Sequence, residues 1–92
     1  MQYRLTPDQY ENLAGRHAAT KPRYEGRALF GTPCLAYAGS HPRTFISDLA
    51  DTLAERTGQD PHELRNELVR SHRTDVLLFE QIVYWPAIQV DP

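Results

Sequence analysis

Cysteine is nearly missing from this 92-residue chain: Cys34 stands alone, so no internal disulfide can form. An unpaired thiol suits a reducing compartment. Long apolar runs are missing too. No stretch approaches the ~18–20 residues that a membrane-spanning helix needs, and the opening MQYRLTPDQYENLAGR lacks the apolar run of a secretory leader. These absences lead us to expect a soluble, cytoplasmic protein without a membrane role.

Signatures of chemistry are equally scarce. The stretch FGTP, residues 30–33, is turn punctuation rather than a glycine-rich phosphate cradle. His17, His41, His62 and His72 are scattered, and no pair has the HxxxH or HExxH spacing of a helical metal site. Within DPHE, Asp60, His62 and Glu63 point different ways on a helix and cannot share one metal. Cys34 follows Pro33 and precedes Leu35 and Ala36, which reads as a buried structural thiol rather than a nucleophile. A catalytic set built from distant residues, such as His41 with Asp75, would leave no local motif. The expectation is a protein that is not an enzyme and holds no metal or cofactor.

What is present describes one folded domain. The chain is 40% apolar and 24% charged, with five Tyr, three Phe and one Trp. Disordered chains lack such aromatics, and a chain this short supports a single modest core. The net charge of −2 hides an asymmetry. Residues 1–43 carry six Arg and Lys against three acids, and residues 44–92 carry four Arg against nine acids. Two faces of different electrostatic character are therefore expected.

The pattern predicts an α+β fold. MQYRLT alternates like a short strand, and Thr6-Pro7 with Gln9 forms a capping-box start for a helix from Pro7 to about Ala19. RYEGRALFGTPCLAYAG reads as a β-hairpin with strands near 24–30 and 34–38, and GSHPR, 39–43, as a loop. TFISDLADTLAERTG is the clearest helix, with Phe45, Ile46, Leu49, Ala50, Leu53 and Ala54 on one stripe, Thr44 as its cap and Gly58 as its stop. Asp60-Pro61 restarts a helix whose inward positions are Leu64, Leu68 and Val69, so a central αα-hairpin is expected. DVLLFEQIVYWPAIQV is apolar almost throughout. IVYW favours strand for its later half, completing a small antiparallel sheet, while 75–80 stays open between strand and a short helix.

The segment LAERTGQDPHELRNEL, 53–68, resembles the helix-turn-helix motif of MerR-type and related regulators through Leu53, Ala54, Thr57, Gly58, Pro61, Leu64 and Arg65. The resemblance spans 16 of 92 residues and implies DNA contact by the second helix. Two departures oppose it. Gln59 takes the position after Gly58 that is usually apolar, and the second helix opens with Asp60, Pro61, His62 and Glu63, with Glu67 a turn later. Carboxylates there repel a polyanion, and residues 48–67 hold six acids against Arg56 and Arg65. A packed hairpin with an acidic face is the favoured account.

Those acids set the functional expectation. Asp48, Asp51 and Glu55 on the first helix and Glu63 and Glu67 on the second can steer a basic protein partner onto the surface. Aromatics in so small a domain commonly fill the core, but Trp85, if it lies on an edge strand beside Pro86, is the aromatic anchor expected to join them. The leading expectation is a small protein-binding module, of the kind that inhibits a larger enzyme: an immunity protein, an antitoxin or a phage-borne inhibitor of a defence nuclease. The alternative is a small DNA- or RNA-associated regulator using 53–68 or the basic segment Arg16, Lys21, Arg23, Tyr24 and Arg27. Self-association is compatible with either.

Overall fold

A computed structural model describes residues 3–17, 20–21, 34–77 and 80–91. The chain is α+β. It runs β1 (Tyr3–Leu5), α1 (Pro7–Arg16), β2 (Thr20–Lys21), β3 (Leu35–Tyr37), α2 (Pro42–Thr57), α3 (Pro61–Ser71), β4 (Arg73–Leu77), β5 (Glu80–Trp85) and β6 (Ile88–Val90).

Helix boundaries follow their caps. Thr6 accepts from the Gln9 N–H and the Gln9 side chain accepts from the Thr6 N–H, closing the expected capping box at α1. The helix stops at Arg16, earlier than the expected Ala19, because His17 leaves helical geometry (φ −132°, ψ 88°) and turns its ring onto Asp48. α2 begins at Pro42, not behind Thr44. Pro42 supplies the preset φ of a first helical residue, and His41 caps without a side-chain bond. Thr44 is simply an exposed residue of the first turn. Gly58 ends α2 in the left-handed region (φ 73°), its N–H donating to the Ala54 carbonyl. Asp60 then caps α3 by accepting from His62 N–H.

A four-stranded sheet has the order β2-β3-β5-β4, antiparallel throughout. β4 and β5 pair antiparallel, so residues 75–77 and 80 of the ambiguous stretch are strand and not helix, while 78 and 79 lie outside the described residues. The β-branched and aromatic residues around it supply the strand preference, with Leu35 opposite Trp85 and Tyr37 opposite Val83. The expected strand at 24–30 lies outside the described residues. β6 does not extend this sheet. It pairs parallel with β1, Tyr3 opposite Ile88 and Leu5 opposite Val90, and Arg4 Nε donates to Asp91 at 2.7 Å.

The main core lies between the helices and one face of the sheet. Leu5, Leu13, Leu35, Phe45, Leu49, Leu53, Leu64, Leu68, Trp85 and Ile88 are all essentially buried. Tyr37 stacks on Phe45 at 4.6 Å between centroids, and Phe45 leans on Trp85 at 5.7 Å. Cys34, Ala36, Ala38, Ile82 and Tyr84 form a second buried cluster. Val69, expected inward, is instead 47% exposed, the exception among the large apolar side chains described. Leu64 and Leu68 define the inward stripe of α3, and Val69 falls on its flank.

Candidate functional site

α2 and α3 pack as the expected hairpin, and the acidic side chains separate around it. Asp48, Asp51 and Glu55, spaced three and four residues apart, bring their carboxylates to one flank of α2. With Gln9, Asn12 and Arg16 of α1 and Thr52 of α2 they line a cleft of about 450 Å³.

The three carboxylates are not equivalent. Asp48 accepts from His17 Nε2 at 2.7 Å and lies 3.7 Å from Arg16 Nε. The His17 side chain is only 10% exposed, and its ring meets Phe45 edge-on at 5.3 Å. Asp48 thus fastens α1 to α2 across the cleft floor, a bond that sequence spacing did not expose because 31 residues separate the partners. Thr52 reinforces the site by donating to the Asp48 carbonyl at 2.8 Å. Asp51 and Glu55 are exposed and have no polar partner among the described residues. They are the open charges of the row. Arg16, expected on a nucleic-acid surface, sits on the rim of this acidic cleft.

Glu63 and Glu67 do not join the row. Glu63 is exposed on the first turn of α3. Glu67 is half-buried and accepts from the Tyr3 hydroxyl at 3.1 Å, while Gln59 Oε1 lies 3.4 Å from the same oxygen. Burial first, and then the hydrogen bond and charge of Glu67, push the Tyr3 phenol above its ordinary range. Gln59, in place of an apolar plug, is therefore turned outward towards β1.

Trp85 corrects the expectation of a surface anchor. β5 is central, flanked by β3 and β4, and Trp85 is 1% exposed. Its indole N–H donates to the Leu68 carbonyl at 2.9 Å, tying the sheet to α3. The indole is part of the scaffold under the site. Cys34 is buried as expected, and burial pushes its thiol up. Of the basic segment, Lys21 lies in β2, and Arg23, Tyr24 and Arg27 lie outside the described residues. Among the described residues no cluster of three or more His, Cys, Asp or Glu side chains could hold a metal ion. No helix among them is long and apolar enough to cross a membrane.

A second cleft of about 460 Å³ opens on the other side of α2, against α3. Arg43, Ile46, Arg65, Asn66, Val69 and Arg70 line it. Charge summed over 48–67 concealed it, because Arg43 and Arg70 fall outside that window and Glu63 and Glu67 dilute Arg65. The available signal was helical spacing. Arg65, Asn66, Val69 and Arg70 recur at intervals that share one flank. No family model, no curated protein and no solved structure matches the chain.

Proposed function

We propose that this chain is a non-catalytic binding protein that takes a basic segment of another protein into the cleft between α1 and α2. The observation that carries the reading is the pair Asp51 and Glu55: exposed, without partners among the described residues, and set beside an Asp48 already engaged by His17. A fixed floor with two open carboxylates suits lysine and arginine side chains. It guides encounter and sets orientation more than it adds affinity.

Inhibition of a larger enzyme, in the manner of an immunity protein, an antitoxin or a phage anti-defence protein, is the role we assign. A standard interface removes about 800 Å² from each partner, roughly a seventh of the 5756 Å² surface of this chain. So small a body can cover a substrate entrance while keeping its own core intact.

The test is titration of an arginine-rich dodecapeptide into the wild type and into Asp51→Lys/Glu55→Lys at low salt. Binding by the wild type and a loss of at least tenfold in the variant are expected. Equal affinity for both proteins would remove the proposal. Chemical crosslinking of a captured partner to Asn12 or Glu55 variants bearing a crosslinker then reports whether the cleft itself is occupied.

A further inference from the structure

We infer that the cleft between α2 and α3 is a binding surface for the phosphate backbone of nucleic acid, gripped by Arg43, Arg65 and Arg70. This goes beyond the protein-binding reading and stands on a different side of α2.

The three arginines are exposed, and none forms a hydrogen bond or an ion pair with another described residue. Elsewhere among the described residues, Arg4 meets Asp91, Arg16 and His17 meet Asp48, and Arg56 donates to the Arg4 carbonyl. Around this cleft no carboxylate of the described residues contributes to the lining. Gathering three guanidinium groups about one concavity costs repulsion, and nothing in the described lining offsets it. An anionic ligand does. Guanidinium forks fit phosphate oxygens two at a time, and their weak hydration keeps the desolvation cost below that of an ammonium group.

The arrangement favours a phosphate chain over isolated carboxylates. Arg65 and Arg70 are five residues apart on α3, about 7.5 Å along the axis at 1.5 Å per residue. That is close to two steps of one nucleic-acid strand at about 3.4 Å each. Arg43 adds a third point from the first turn of α2. Between Arg65 and Arg70 on the helix surface lie Asn66 and the exposed Val69. A carboxamide and a branched apolar group offer base edges a donor–acceptor pair and a methyl contact. This surface is not the first turn of α3, where Asp60 and Glu63 repel phosphate.

The experiment is fluorescence anisotropy with labelled duplex DNA, single-stranded DNA and single-stranded RNA of equal length, across a salt series. On duplex DNA three phosphate contacts give a slope of log K against log salt of about −2.7, which is about a 40-fold loss of affinity between 50 and 200 mM salt, and on a single strand a slope of about −2.1. Arg65→Ala and Arg70→Ala should each reduce that slope by about one, and Arg65→Lys should largely restore it. Arg43→Glu/Arg65→Glu/Arg70→Glu should abolish binding with an unchanged circular dichroism spectrum. Asp51→Asn/Glu55→Gln should not weaken it and should leave the effect of the arginine variants unchanged, which separates this site from the acidic cleft. No binding of any of the three probes at low salt, or binding indifferent to the arginine variants, would overturn the inference. Equal or tighter binding of a polyglutamate peptide of matched charge would overturn it too, in favour of an acidic protein partner.

Discussion

The two clefts that border α2 are nearly equal in volume, about 450 and 460 Å³, and opposite in sign. On the α1 side, Asp48, Asp51 and Glu55 face Arg16. On the α3 side, Arg43, Arg65 and Arg70 face no acid in the described lining. A net charge of −2 says almost nothing about either surface. Helical periodicity sorts charges that are interleaved in sequence onto separate flanks, and α2 is the wall between them. The flanks also differ in how they are built. The acidic cleft is locked by the His17–Asp48 bond, whereas among the described residues no hydrogen bond or ion pair joins α2 to α3 across the basic cleft.

The largest perturbation should erase that difference. Trp85→Ala empties the shared core and leaves the Leu68 carbonyl without its indole donor. A loss of about 3–5 kcal/mol is expected, read as a fall in the urea midpoint, and both clefts should fail together. If one binding activity survived at full strength, the two clefts would not rest on a common scaffold.

Asp48→Ala should then separate them. Removing the acceptor of a nine-tenths-buried histidine, at a carboxylate 29% exposed, should cost about 1–2 kcal/mol after solvent screening. The damage should be confined to the α1 side, with hydrogen exchange accelerated in α1 and unchanged in α3. Acceleration spread evenly over both helices would break the distinction.

Gly58→Ala acts on the opposite side. Open space surrounds the position of an added Cβ, so the cost is the left-handed backbone (φ 73°) alone, about 1 kcal/mol. Polyanion affinity, which needs the two hairpin helices in register, should drop before peptide affinity does.

The smallest effect is a common one. Burial raises the Cys34 thiol above its usual 9.0. The unfolded chain releases this proton first, so it binds fewer protons than the folded chain, and stability falls as pH rises beyond about 9. Below that pH the contribution is fully present. Unfolding midpoints at pH 8 and 10 should differ more in the wild type than in Cys34→Ala.

Much of the fold was legible because it was written in local chemistry. Thr6 with Gln9, Gly58, and Asp60 with Pro61 mark three helix ends through bonds between near neighbours. Buried contacts between distant segments were not legible. Trp85 sits one residue before Pro86, which suggested an edge, yet β3 and β4 flank its strand on both sides. Thr44 looked like a cap because threonine accepts well, but Pro42 had already started the helix. At the site, the acidic row was readable from its spacing. The engagement of Asp48 and the convergence of Arg43 with α3 required knowing which helices touch.

The parallel pairing of β1 with β6 joins residues more than eighty positions apart, Tyr3 with Ile88. Loop closure over that distance comes late and favours slow, non-local assembly. The α1 segment is anchored through Leu5 and Leu13 to a core completed by Ile88, so in refolding from denaturant the acidic cleft should be among the last features to form.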